Sequence, residues 1–349
     1  MHILITGNMG YVGPGVIRQL RSTYPEAILT GFDAGYFSSC LTGADYLPEQ
    51  FLNKQHFGDM RTIKDELLEG VDAIVHLAAI SNDPMGHAYE QVTMDVNYYA
   101  TIRLAEKAKV AGVKRFVFAS SCSVYGYADD GLCHEGSTLD PLSAYAKSKA
   151  LSEEGLRQLA GSEFTVSCLR FPTACGMSAR LRLDLVLNDF VAAAFTAGKI
   201  TLLSDGSPWR PLINVNDMAL AIDWAINRVG DDYLVVNVGR DELNFRVKEL
   251  AEAIVKFIPQ VTIAINSKAQ PDRRSYKVSF ARFKSLAPQH QPRQDLSTTI
   301  GNLKRGLESM QFQDGEFRQS SLIRLHYLAY LRNKGWLSDT LCWQNGLFS

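Results

Sequence analysis

Five short apolar runs, at residues 3–6, 28–32, 73–77, 115–119 and 164–170, alternate through the first half of the chain with stretches whose apolar residues recur at helical spacing. A run of this length bounded by turn residues makes a strand buried on both faces, and the intervening helices supply the cover. Val96, Ala100, Leu104 and Ala108 repeat every fourth position and stop at Gly112, as one face of a glycine-ended helix does. Strand, helix, strand in repetition predicts an α/β fold built on a doubly wound parallel sheet.

Beyond about residue 170 the pattern loosens. A polar, proline-interrupted passage at 171–210 precedes a helix pattern at 215–228, a strand at 233–238, a helix at 245–257 and a strand at 261–265. The expected organisation is a first domain over 1–170, to which 215–240 returns, and a smaller, discontinuous substrate lobe from 171–214 and 241–349. No internal repeat divides the chain, and no linker rich in Gly, Ser or Pro does.

With 349 residues and 46% hydrophobic content the chain can bury a core without disulfide or metal staples, which excludes disorder and fibrous classes. Its 36 basic and 37 acidic side chains balance, so electrostatics offers no reason to expect nucleic acid or a membrane surface as partner. No apolar run reaches the roughly 18 residues of a membrane helix. The opening MHILITG enters a strand directly, unlike a signal peptide. A soluble, cytoplasmic protein is expected. Six cysteines without a Cys-x-x-Cys pair suit reduced thiols, and seven histidines without ligand spacing predict no metal site.

Between the first strand and a helix at 12–20 lie Gly7, Asn8, Met9, Gly10, Tyr11, Val12 and Gly13. Glycines let backbone approach a pyrophosphate, whose charge the helix N-terminal amides favour. The spacing is Gly-x-x-Gly-x-x-Gly, not the usual Gly-x-Gly-x-x-Gly, and a structural turn is the bland alternative. Asp33, after the second strand, is placed to accept hydrogen bonds from an adenosine ribose and to repel a 2′-phosphate, so NAD is expected over NADP; the rival reading is a loop cap.

Tyr145 and Lys149 open a helical stretch one turn apart on the same face. An ammonium beside a phenol favours phenolate and should lower the tyrosine pKa, making a general base for a hydroxyl. A solvated helix face is the alternative, weakened by Ser120 to Gly126, which end the fourth apolar run where parallel strands present ligands.

Taken in order, TGNMGYVG, Asp33, Gly58-Asp59-Met60-Arg61, His76-Leu77-Ala78-Ala79, Val96-Asn97, SSCSVYG, YAKSK and WRPLINVND resemble an extended short-chain dehydrogenase/reductase of the NAD-dependent epimerase/dehydratase group that acts on nucleotide sugars. The likeness spans about two-thirds of the chain and fades after about residue 286. It implies a Rossmann-like, NAD-binding first domain and a catalytic triad of Ser121, Tyr145 and Lys149. It implies that Asp59 and Met60 meet the adenine, that Leu77, Ala78, Ala79, Ser120 and Pro172 line the cofactor, and that Asn97 orders the site. For the nucleotide-diphosphate sugar it implies Asn188, Arg210 and Arg274 at the diphosphate, and Ser81, Cys122, Ser123, Tyr145 and Thr173 nearer the sugar. A homodimer is the assembly it implies.

Departures narrow the chemistry. Cys122 and Ser123 stand where the 4,6-dehydratases of the group carry an Asp-Glu pair, and eliminating water needs an acid and a base. Where related reductases and 3,5-epimerases place a cysteine, this chain has Ser123, and Cys122 comes one residue early. Cys175 replaces a frequent tyrosine and reads as packing, Asn214 stands where histidine is frequent, and His87 reads as a solvated loop residue more readily than a sugar contact. The leading expectation is an NAD-dependent nucleotide-sugar epimerase working at C4. Behind it stand an NAD(P)H-dependent 4-keto nucleotide-sugar reductase, a 4,6-dehydratase and a non-catalytic NAD-sensing protein. The base and sugar, and the role of the segment after 286, are not legible.

Overall fold

The computed structural model describes residues 1–266 and 274–344. Seven strands, all paired parallel, run across the central sheet in the order Tyr233–Asn237, Thr165–Phe171, Arg115–Ser121, Ala73–His76, His2–Thr6, Ile28–Asp33 and Lys54–Phe57. The chain starts in the interior of the sheet, winds outward to Lys54–Phe57, then returns to Ala73–His76 and winds toward the other edge. That reversal opens a crevice at the carboxyl ends of the strands, where α/β sheets bind ligands.

Alternation within the first strand shows why both faces are covered. Ile3 and Ile5 pack with Val16, Ile17 and Leu20 of the helix Gly13–Thr23 and with Ala221 and Ile222 of Val215–Asn227, while Leu4 faces Leu104 and Ala108 of Ala100–Val110 and Leu156 of Ala144–Leu159. The same sheet buries His76 between the hydroxyls of Thr6, at 2.6 Å, and Thr101, at 2.8 Å. Burial pushes its imidazole down to about 3, so it is neutral.

The five expected strands of the first half form with small shifts at their ends. Lys54–Phe57 was not expected, because KQHF is polar and sits at the sheet edge, where only one side must pair. The helix expected at 245–257 begins later: Asn244–Arg246 is a strand, antiparallel to Trp209–Asn214, and the helix is Val247–Val255. Its start is fixed by the Glu249 carboxylate, which accepts from the Arg246 amide at 2.7 Å.

The passage 171–210 is more regular than its composition suggests. It holds the strand Thr173–Cys175, parallel to Trp209–Asn214, the helix Val186–Ala197, which ends at the left-handed Gly198, and the strand Lys199–Leu202, parallel to Thr262–Ile265. The second core joins Leu187 and Val191 to Leu250 and Ile254 and to Ile300, Leu303 and Leu307 of Leu296–Ser309. A last helix, Arg324–Asn333, crosses back to the first half. Leu328 and Leu331, with Leu337 and Leu341 beyond it, are buried against Ile80, Met85, Tyr89 and Val92. At roughly 2 kcal/mol for each buried leucine, this seam holds the C-terminal segment firmly. Among the described residues no helix is long and apolar enough to cross a membrane, and the six cysteines are unbridged.

Candidate active site

A cavity of about 980 Å³ lies at the carboxyl ends of the central strands, between the sheet and the elements of the second core. Strand Arg115–Ser121 delivers Ser120 and Ser121 to it, and the helix Ala144–Leu159 delivers Tyr145 and Lys149. Ser143 caps that helix, its hydroxyl accepting from the Ala146 amide at 3.1 Å, so Tyr145 falls in the first turn with its backbone fixed. Ser121 lines the cavity beside Tyr145, its hydroxyl accepting from the Ser123 amide at 3.1 Å. Lys149 lies with its Nζ 5.8 Å from the Tyr145 ring centre and donates to the Ala119 carbonyl at 2.7 Å. The three residues expected to act together are brought together.

Their electrostatics differ from expectation. Burial pushes the Tyr145 phenol up to about 12, with the Asp83 carboxylate adding to the rise while the Ser121 hydroxyl and Arg182 pull downward. Lys149 is turned to the Ala119 carbonyl, and burial brings the lysine itself down to about 7 against the pull of Glu153. Glu153, one turn further along, is closed into a buried network: its carboxylate accepts from Ser120 Oγ at 2.5 Å and from Arg170 Nη2 at 2.6 Å.

The opposite end has the shape a dinucleotide requires. Gly7 takes φ +75°, and a Cβ there would stand 2.4 Å from the Ala78 amide nitrogen, so only glycine lets these segments meet. Gly7, Gly10, Tyr11 and Val12 line the cavity at the start of the helix Gly13–Thr23, whose N-terminus has no side-chain cap. Pro14 has no amide hydrogen and the Gly15 amide donates to the Val12 carbonyl at 3.1 Å, so an anion here would meet the turn that leads into the helix. Asp33 accepts from the amides of Met9 at 2.9 Å and Gly35 at 2.7 Å, and burial raises its carboxyl. Asp59, Met60, Leu77, Ala78, Ala79, Ser120 and Pro172 also line the cavity. Desolvation would raise Asp59 too, but the Arg61 guanidinium, 2.5 Å away, outweighs it and holds the carboxyl below its ordinary value. The residues present therefore fit an NAD cofactor. Asn8, Met9 and Gly13 do not line the cavity; they shape its turn, Asn8 by a 2.7 Å bond to Gln55. Asn97 sits in the π-turn Asp95–Tyr99 and braces the loop after Ala73–His76, accepting from the Ile80 amide at 2.8 Å and donating to its carbonyl at 3.0 Å.

Of the residues expected near the substrate, Ser81, Ser123, Thr173, Arg210 and Arg274 line the cavity. The Ser123 hydroxyl is buried without a partner among the described residues. Asn188 and Cys122 are not brought to the wall. Asn188 is fully buried and committed to the Gly176 amide, the Tyr11 hydroxyl and the Arg182 carbonyl. Cys122 donates to the Arg170 carbonyl at 3.3 Å, and burial raises its thiol. Cys175 packs in the second core, Asn214 caps the helix Val215–Asn227, and His87 is exposed away from the cavity. Residues 271–273, beside Arg274, lie outside the described residues.

Sequence reasoning missed several wall residues. Asp83 accepts from Ser143 and pairs with Arg274. Arg182 grips Asp184 with bonds of 2.8 and 3.0 Å and donates to Ser81 at 2.8 Å, while Asn82 donates to Asp184 at 2.9 Å. Ile323, Arg324, His326 and Leu328 come from the unread C-terminal segment. The Ser-Asn-Asp-Pro loop after the third apolar run was the one available signal for Asp83; nothing periodic marks Arg182.

The sequence model of the NAD dependent epimerase/dehydratase family matches residues 3–239. Over 254 residues, 69% of this chain and 78% of the relative, the sequence is 30% identical to an uncharacterized UDP-glucose epimerase, YtcB, of Bacillus subtilis. It is 27% identical to the low-salt glycan biosynthesis protein Agl12 of Haloferax volcanii over 68% of this chain and 77% of that one. Among solved structures, MoeE5 in complex with UDP-glucose and NAD shares the fold with a TM-score of 0.77 at 24% identity, covering 88% of this chain and 99% of that chain. A UDP-glucuronic acid 4-epimerase from Bacillus cereus, bound to UDP-glucuronic acid and NAD, gives a TM-score of 0.76 at 21% identity over 89% and 100% of the two chains.

Proposed function

Because the chain belongs to the NAD dependent epimerase/dehydratase family, and is thereby an NAD-dependent enzyme, we propose that it is a nucleotide-sugar epimerase acting at the sugar C4. The observation that carries this reading is the pair Cys122 and Ser123. One is a buried, hydrogen-bonded thiol and the other a hydroxyl, so neither supplies the acid or base that elimination of water requires. Proton transfer at a single carbinol then falls to Tyr145. The 4-epimerases among the relatives support the position on the sugar.

When bound, NAD supplies the acceptor and donor of hydride. The chain's own residues do the rest. Tyr145 takes the hydroxyl proton and later returns it. Ser121, on the cavity wall with the phenol, holds the sugar oxygen as it gains carbonyl character. Lys149, poised near neutrality, favours the phenolate whenever it carries its proton. Arg210 and Arg274 present guanidinium donors from the second lobe to the diphosphate. Tyr145, with its phenol at about 12, needs these partners before it can act as a base at neutral pH.

The test is redox balance. Incubated with UDP-, dTDP-, CDP- and GDP-hexoses and catalytic NAD, the purified protein should interconvert two C4 epimers of one of them, with deuterium at C4 retained in the sugar. Stoichiometric consumption of reduced dinucleotide with a 4-keto sugar would overturn the epimerase assignment in favour of a reductase.

A further inference from the structure

The loop that follows Asp33 is clamped by residues some three hundred positions downstream. The Trp343 indole donates to the Ala34 carbonyl at 2.6 Å, and the Tyr36 hydroxyl donates to the Leu341 carbonyl. The rings of Tyr36 and Trp343 lie 5.9 Å apart. Arg324, wholly buried and anchored on the Arg180 and Leu181 carbonyls, stands 4.6 Å over the Phe37 ring. Tyr327 shares a 2.5 Å hydrogen bond with Ser39, its ring 6.2 Å from Phe37. Arg61, the partner of Asp59, donates to the Thr340 carbonyl at 2.9 Å and to the Cys342 sulfur at 2.9 Å. Ala34, Tyr36 and Phe37 line the cavity beside Asp33 and Asp59, and Ile323, Arg324 and Leu328 line it from the C-terminal side.

We propose that residues 324–343 are a clasp on the adenosine end of the cofactor site, holding the 34–39 loop closed and setting how long NAD stays bound. The proposal rests on the assignment of Asp33 and Asp59 to the adenosine end. Opening that end requires the loop to leave Trp343, Leu341, Arg324 and Tyr327 together, so several modest contacts must break before the wall can part. The clasp lies outside the segment that the family model matches, which ends at residue 239. An enzyme that returns its hydride to the same sugar gains from a cofactor that does not leave between turnovers.

The experiment measures dissociation of NADH from the full-length protein by stopped-flow fluorescence, with excess NAD as the chase. Trp343→Ala and Tyr327→Phe should each speed release by about five-fold or more, and the pair should exceed either alone. Trp343→Phe, which keeps a ring but loses the indole donor, should fall between. Melting temperatures establish that the variants are folded, and the affinity for the nucleoside diphosphate that the wild type binds best, among UDP, dTDP, CDP and GDP, should stay within about two-fold. Unchanged release in folded Trp343→Ala and Tyr327→Phe overturns the clasp. Asp33→Ala separates the two ideas: weaker NAD binding there alongside unchanged release in the clasp variants leaves the adenosine assignment standing without the clasp, whereas unchanged NAD affinity in Asp33→Ala removes both.

Discussion

The two ends of the cavity are closed by different means. Around Lys149 and Glu153 the fixing contacts are short in sequence: Lys149 to Ala119 spans 30 residues, Ser120 to Glu153 spans 33, and Arg170 to Glu153 spans 17. At the adenosine end they are long: Arg61 to Thr340 spans 279, Tyr36 to Leu341 spans 305, and Trp343 to Ala34 spans 309. Chemistry that needs atoms held within tenths of an ångström is built from two neighbouring strands and one helix packed on them. Retention of a ligand tolerates more slack and can be entrusted to a remote segment.

The sharpest way to break this contrast is at its catalytic pole. Tyr145→Phe should fold, bind NAD with nearly wild-type affinity by calorimetry, and turn over at least about 100-fold more slowly, since it removes the proton carrier and little else. Activity within a few-fold of wild type would show that the local cluster does not carry the chemistry. Lys149→Met should cost roughly ten-fold or more in kcat. It should also change how stability depends on pH. The folded lysine releases its proton at about 7 while the unfolded one holds it to 10.5. Unfolding therefore takes up a proton between those values, and wild-type stability gains from rising pH there. The methionine variant should lose that gain, read as melting temperatures from about pH 7 to about pH 9.

Asp33→Ala addresses the adenosine pole, where the expected loss is smaller because several other groups share the binding. About ten-fold weaker NAD binding, with reduced preference for NAD over NADP, is the expected calorimetric result. A wild type that binds both dinucleotides equally would contradict the role given to Asp33. The smallest effect belongs to Cys122→Ser. Its thiol donates to the Arg170 carbonyl and does not reach the cavity wall, so kcat should stay within about two- to three-fold of wild type. A loss comparable to that of Tyr145→Phe would bring the thiol back as an acid/base group.

What could be read from the sequence follows the same division. Strand 2–6 declares itself because Ile3, Leu4 and Ile5 are all apolar, as a strand buried on two faces demands, and Tyr145 and Lys149 are legible because one helix sets their spacing. Lys54–Phe57 was hidden because an edge strand of polar residues carries no such signature. Arg182 and Asp184 sit in a passage without periodicity, yet both line the cavity in the folded chain. Asn188 matched a family motif but is spent on the Gly176 amide, the Arg182 carbonyl and the Tyr11 hydroxyl, and only the folded geometry reveals that. Nothing near residue 34 or residue 343 announces that the two will meet.

The distance between Trp343 and the loop it holds also orders events as the protein is made. Every strand of the central sheet lies within residues 2–237, so the sheet and the glycine turn can form while the downstream chain is still on the ribosome. Contacts that span about 300 residues come last, because their closure waits for the final helix to be synthesised. If the clasp holds the adenosine end as proposed, a nascent chain would pass through a stage in which that side of the cavity is open, before Leu341 and Trp343 close it.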